Sequence, residues 1–314
     1  MMQKTVDVII PTYRPGRKFR QLLKMLSVQS YPVHKIIIIN TEAEYLDERS
    51  IPYANAVVRH ISKSEFDHGR SRNLGVSLSD ADYFLLMTDD AVPRDTELTA
   101  ALVKALEEDP MRGSAYARQL PGKESSADER YSRRFNYPET SREKSLSDLP
   151  VLGIKTYFSS NVCCMYRRDL FDQLGGFVNR AIFNEDMIYA CRLLHAGYKI
   201  YYCAEAQVYH AHNFTALQQL HRNFDLGVSQ AEHPEVFGGI RSEGEGRRLV
   251  MGNAAELLRT GRIWLLPGLV FRSGCKLIGY KLGKNYRKLP RSLVLRLTMN
   301  RSYWEKHGEE RRDR

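Results

Sequence analysis

The chain has 314 residues, 43% of them hydrophobic and 27% charged, enough to bury one large or two ordinary cores. That balance excludes a disordered or fibrous protein. The formal net charge of +10 is unevenly placed: of 47 Lys and Arg and 37 Asp and Glu, residues 241 to 314 hold 18 and 7, leaving 29 against 30 before them.

The first 120 residues alternate short β-branched runs with amphipathic stretches. Strand-like Val6–Ile10 precedes a helical segment from Phe19 to Val28 with Leu22, Leu23 and Leu26 on one face, and Ile36–Ile39 follows. Val57–Ile61, a segment from Gly69 to Leu78, Tyr83–Met87 and Leu98–Leu106 continue the pattern. Such alternation predicts βαβ units and a mostly parallel sheet with helices on both faces. Ligands of these sheets bind beyond the carboxyl ends of strands, which directs attention to Pro11-Thr12-Tyr13-Arg14, Asn40-Thr41-Glu42 and Thr88-Asp89-Asp90.

Residues 122 to 150 are polar, rich in Ser, Glu and Arg, and read as a long surface excursion. Regular structure resumes at Tyr157–Tyr166, with a short helix near Asp169–Leu174 stopped by Gly175-Gly176. A helix from Glu185 to His195 ends at Gly197, and Tyr198–Cys203 returns as a strand.

Several side chains along this path carry chemistry. Asp89-Asp90 at a strand end admits two readings: turn and cap residues, or hard oxygen ligands for Mg²⁺ or Mn²⁺ carrying a phosphorylated ligand. Glu185-Asp186 either favours the dipole of the helix it opens or supplies a general base near a bound sugar. His210 and His212 share a face if extended, and are either structural or metal ligands. In FDHGRSRNLG, Arg70 and Arg72 lie on a solvated face or, with a helix N-terminus, meet a diphosphate.

Together these segments resemble the inverting family 2 glycosyltransferases of the GT-A fold, over about residues 5 to 225. VIIPTYRPG resembles the first strand and nucleotide-base loop, and FDHGRSRNLG and TDDA resemble the Arg-Asn-x-Gly and Asp-x-Asp segments in their rhamnosyltransferase-branch forms. SSNVCCMYRRDLFDQLGGF and FNEDMIYACRLLHAGYKI resemble the acceptor-side Gly-Gly-Phe turn and Glu-Asp motif. The chain departs from the family where Asn40-Thr41-Glu42 replaces an acidic turn, and where Met87 takes the place of the fuller metal motif's first aspartate.

The resemblance implies a GT-A domain over 1–230, with a nucleotide-sugar half (1–120) and an acceptor half (121–230); composition sets 231–314 apart as a basic, mainly helical extension. It implies a metal-dependent single displacement with Asp186 as base, and Asp90 with His210 (or His212) holding Mn²⁺ or Mg²⁺. Pro11, Thr12, Tyr13, Glu42, Arg72 and Asp89 would bind the donor, dTDP-rhamnose or a UDP-sugar. Gly176 and Glu185 would face a lipid-linked glycan acceptor of cell-surface polysaccharide biosynthesis.

Five cysteines without CxxC spacing predict reduced thiols rather than disulfides or structural zinc. Met1–Lys4 runs into strand-like sequence without a signal-peptide h-region, and Ile263–Phe271, broken by Pro267 and Gly268, is shorter than the ~20 residues of a membrane span. From Leu257 to Trp304 there are 11 Lys and Arg and no acid, interleaved with apolar runs. That favours helices on an anionic membrane surface over nucleic acid. The expectation is a cytoplasmic enzyme, peripheral at the inner face of the cell membrane. Two rivals are a nucleotidyltransferase, for which PTYRPGRK has too little glycine, and a non-enzymatic membrane-surface binding module.

Overall fold

Four apolar runs form the parallel half of a nine-stranded sheet in this computed structural model, which describes residues 3–240 and 243–310. They are β1 (Val6–Tyr13), β2 (Lys35–Thr41), β3 (Ala56–Ile61) and β4 (Tyr83–Met87), with β1 central between β2 and β4. Side-chain alternation explains why both faces are covered. Val6, Val8 and Ile10 pack with α1 (Arg17–Leu26) and α3 (Leu98–Glu107), while Ile9 and Ile39 turn the other way, under Gly75 of α2 (His68–Ser77).

The sheet continues through short β5 (Val92–Pro93), β6 (Arg112–Leu120), β7 (Arg142–Lys144), β8 (Cys163–Arg167) and β9 (Lys199–Tyr209) in the order β3-β2-β1-β4-β8-β6-β9-β5, with β7 beside β9. In this half β8 runs antiparallel to β4 and β6, and β6 runs parallel to β9, so the sheet is mixed here. β1 is longer than Val6–Ile10: Pro11, Thr12 and Tyr13 still pair with β2, which carries the strand end closer to Asp89.

The described residues fall into two compact units. The first comprises the described residues up to Glu124, Asn136–Arg180 and Glu185–Ala211 and holds the whole sheet. It also carries α5 (Leu149–Leu152), α6 (Arg168–Gln173) and α7 (Glu185–His195).

The second comprises Ser125–Phe135, Ala181–Asn184 and the described residues from His212 onward and is helical. Its elements are α4 (Ala127–Asn136), α8 (Ala216–Glu232), α9 (Pro234–Phe237), α10 (Glu243–Arg259), α11 (Leu266–Lys284), α12 (Arg291–Leu297) and α13 (Arg301–Glu310). A core of Ile182, Phe224, Val228, Tyr286, Val294, Tyr303 and Trp304 binds it together. α11 crosses α8 so closely that a Cβ on Gly279 would stand 2.1 Å from the Leu220 carbonyl oxygen, and one on Gly283 2.1 Å from that of Phe224. Only glycine permits that approach.

The excursion expected over 122–150 contains α4, β7 and α5. α4 has no buried residue and no apolar stripe to betray it; Asp128 and Glu129 at its start and Arg133 and Arg134 at its end suit the helix dipole instead. Among the described residues no helix is long and apolar enough to cross a membrane.

Candidate active site

β1 and β4 end side by side, which brings their terminal residues together. Thr12 Oγ1 donates to Asp89 Oδ2 at 2.6 Å. Burial raises the Asp89 carboxyl above its usual range, opposed by the Thr12 hydrogen bond and reinforced by the neighbouring Asp90 charge. Thus the two aspartates differ: Asp89 is tied back to β1, whereas Asp90 turns toward the end of β9, where His210 Nε2 lies 3.4 Å from Asp90 Oδ1.

The His210 tautomer follows from its other neighbour. Gln119 Nε2 donates to the Tyr137 hydroxyl at 2.6 Å and to Ser160 Oγ at 2.9 Å, so its carbonyl oxygen faces His210 Nδ1 at 2.9 Å. A neutral His210 therefore carries its proton on Nδ1 and presents the Nε2 lone pair toward the Asp90 carboxylate. Two facing lone pairs of a carboxylate and an imidazole suit a borderline divalent cation such as Mn²⁺. His212, the alternative ligand, stacks its ring on Phe214 at 5.0 Å in the second unit.

The start of α7 is held by Asn161, in the turn before β8. The Asn161 backbone N–H donates to Asp186 Oδ2 at 3.2 Å, and its side-chain amide donates to Glu185 Oε1 at 3.1 Å. Met187 N–H also donates to Asp186, at 2.8 Å. Part of Asp186 reaches the surface, yet enclosure by protein and then the Glu185 charge push its carboxyl up to about 7. Glu185 goes the other way: burial alone would raise it, but Arg72, His68 and the Asn161 amide hold it below the usual range. Two adjacent carboxyls driven apart in this way are an acid–base arrangement, with Asp186 poised to change protonation near neutrality.

Arg72 is buried at 6% exposure, with Nη1 3.3 Å from Glu185 and donating at 2.8 Å to the His68 carbonyl. Its buried Nε has no hydrogen-bond partner among the described residues. The next residue, Asn73, spans the Gly-Gly-Phe turn, donating to Phe177 O at 2.9 Å and accepting from Phe177 N at 3.0 Å. Gly176 sits at φ +68, where a Cβ would meet Asn73 Oδ1 at 3.0 Å. So the Arg-Asn-x-Gly segment holds both the turn and the α7 acids.

At the β1 terminus Tyr13 is 43% exposed and meets Tyr45 edge-on at 5.5 Å. Arg14, at φ +53, lies over the Tyr45 ring at 4.5 Å and donates to its hydroxyl at 2.7 Å. Pro11 pairs with Ile39 below them. Glu42, at φ +65, is set apart: its side chain accepts from the Lys63 backbone N–H, while Asn40 donates to its carbonyl at 2.8 Å. Asn161, Gln119 and the Arg14–Tyr45 pair had no assigned role in the sequence reading. Arg14 alone offered a local signal, a charged residue directly beyond a strand; the others are recognisable only once distant strands meet.

A parallel sheet half with a carboxylate–imidazole pair beyond its strand ends, and a carboxyl raised by burial at the start of α7, are what a GT-A sugar-transferring enzyme requires. Residues 7–175 match the Glycosyl transferase family 2 domain, and the chain belongs to that family. It is 37% identical to the O-antigen chain rhamnosyltransferase RfbN of Salmonella typhimurium over 95% of this chain and 96% of that protein. It is likewise 37% identical to the O-antigen chain rhamnosyltransferase WbaN of Salmonella anatum, over 95% of each. Among solved structures it is similar to the mannosyltransferase PcManGT of Pyrobaculum calidifontis, in complex with GDP-Man and Mn²⁺: TM-score 0.62, 16% identity, 92% of this chain and 89% of that one. Staphylococcus aureus TarS 1-349 in complex with UDP-GlcNAc gives a TM-score of 0.52 at 15% identity, over 90% and 92%. These two likenesses are of fold. The family excludes the non-enzymatic binding module: the protein is a glycosyltransferase of polysaccharide synthesis.

Proposed function

We propose that the protein transfers rhamnose from dTDP-rhamnose to a hydroxyl of a lipid-linked glycan, inverting the anomeric carbon, with Asp186 as the base. The observation that carries the proposal is the Asp186 carboxyl, fixed by two backbone N–H groups and titrating at about 7. As the acceptor oxygen bonds to the anomeric carbon, Asp186 takes its proton and the bond to the diphosphate breaks. Asp90 and His210 would hold a divalent ion, which when bound supplies positive charge beside the leaving diphosphate. Arg72, fixed beside Glu185, would add a second positive charge toward the leaving diphosphate. Pro11, Thr12, Tyr13 and Glu42 would bind the nucleotide, Asp89 would orient the ribose or diphosphate, and Glu185 and Gly176 would face the acceptor.

The rhamnose assignment rests on likeness to two rhamnosyltransferases along nearly the whole chain. A thermal-shift panel of dTDP- and UDP-sugars with and without Mn²⁺ tests it. Metal-dependent stabilisation by dTDP-rhamnose supports it; stabilisation by a UDP-sugar instead replaces the donor.

A lipid-linked acceptor places the enzyme at the inner face of the membrane, and α11 supports this. Ile263 and Trp264 in the turn just before α11, and Val270 and Phe271, and Leu277 and Ile278 within it, recur every seven residues and are about half or more exposed, with Trp264 at 71% and Phe271 at 67%. The glycine face of the helix is spent on α8, so this apolar stripe faces out, flanked by Arg259, Arg262, Lys281 and Lys284. An anionic bilayer interface suits both the stripe and its charges.

A further inference from the structure

The helical unit encloses a pocket of about 260 Å³ between α4, the 212–214 segment, α8, α10 and α11. Its size falls just below the roughly 300–1,000 Å³ of drug-sized ligand sites, too small for a nucleotide-sugar. Leu249, Val250, Leu265 and Leu269 make an apolar wall, and the stacked rings of His212 and Phe214 another.

The polar groups between these walls divide into committed and uncommitted sets. Asp128 accepts from Arg272 Nε at 2.8 Å and Asn253 at 3.3 Å, and Glu129 pairs with Arg133 at 2.7 Å. By contrast, the side chains of Ser132, Ser273 and Lys276 make no hydrogen bond or ion pair among the described residues. Lys276 is half-buried, and burial lowers its pKa despite the nearby Glu129 and Asp128. Polar groups that converge unpaired in a half-enclosed space are the mark of a ligand site rather than of a finished core.

The lining selects the ligand class. An acyl chain would leave Lys276 and both serines buried without partners. A diphosphate would crowd its charge against Asp128 and Glu129, which balance Arg272 and Lys276. A neutral ring with hydroxyls on its rim and C–H faces meets every group: donors and acceptors at the edge, leucines and the aromatic pair on the flats.

We infer that this pocket is a saccharide-binding site, holding one or two pyranose rings of a glycan. It lies within the helical unit and uses none of Asp90, Asp186, His210 or Arg72; His212, the alternative metal ligand, stands in its wall. The inference takes only the source of the sugar, the acceptor glycan, from the proposed function.

Saturation-transfer NMR with methyl glycosides of rhamnose, mannose, galactose and glucose at millimolar concentration, in the full-length protein, tests it. At least one glycoside should give transfer in the unaltered protein. Ser273→Trp, which fills the pocket, should abolish transfer, and Lys276→Met should weaken binding about tenfold, a loss of about 1.4 kcal/mol. In both variants the donor-induced thermal shift should stay unchanged, which reports intact folding and an intact donor site. No transfer from any glycoside, or transfer that survives Ser273→Trp, overturns the inference. So does binding of inorganic phosphate, lost in Lys276→Met, without binding of glycosides. A protein that binds glycosides here but no nucleotide-sugar would strike the donor assignment and leave this site standing.

Discussion

His210 Nε2 stands 3.4 Å from Asp90 Oδ1, with Gln119 fixing the far side of the imidazole. The pair joins the end of β4 to the end of β9, two points 120 residues apart in the chain. Ligands held in this way depend on the groups behind them. Gln119→Leu should therefore weaken Mn²⁺ binding by about 10–100-fold, read by calorimetry in the presence of nucleotide, although Gln119 touches neither metal nor donor. Unchanged affinity would mean that His210 is not a ligand.

Arg72 and Glu185 form a buried pair, 8% and 7% exposed at their side chains. Arg72→Ala leaves the Glu185 carboxylate uncompensated and should cost about 3–5 kcal/mol. For a chain of this size that is a fall in Tm on the order of 10 °C, and adding Glu185→Gln should restore part of it. An unchanged Tm in the single variant would show that water reaches Glu185.

Gly176→Ala places a Cβ at φ +68 and against Asn73. The left-handed backbone alone should cost about 1–2 kcal/mol, read as a lower urea midpoint at unchanged slope. Asn73→Ala in the same background should recover little, because the backbone term remains.

Replacing Trp264 and Phe271 together by Glu should abolish co-flotation with anionic vesicles while leaving transfer to a soluble acceptor unchanged. Flotation that ignores lipid charge, or that survives the double substitution, would remove α11 from the membrane surface.

Much of this was legible in the residues. The strands and helices of the first 107 residues follow from alternation and from β-branched runs, because local patterning and burial agree there. Asp90, Asp186 and His210 stand out as candidates because they sit at element ends, where α/β sheets bind ligands. What escaped were residues whose roles depend on distant partners: Asn161 as backbone donor to Asp186, Gln119 as the clamp on His210, and Asn73 across the turn at Phe177. The antiparallel β8 was equally hidden, since Cys163–Arg167 is apolar without saying which neighbour it joins. α4 lacked an apolar face and so looked like a loop.

Asp186 also carries a stability signature. Its folded pKa, about 7, lies above the ordinary carboxyl value of 3.8, so between these pH values the folded state binds the extra proton. Stability contributed by that proton is present below the unfolded pKa and is lost as pH rises toward 7. Asp186→Asn should therefore gain stability relative to the unaltered protein at pH 8 and little at pH 4, measured as ΔTm.

The most direct measurement is the single-turnover transfer rate of Asp186→Asn at saturating donor, with donor affinity measured alongside. The account predicts a rate lower by about 10²–10⁴-fold with affinity little changed, and an unaltered enzyme whose rate falls tenfold per pH unit below about pH 7. Near-normal turnover in Asp186→Asn would contradict it and move the base elsewhere.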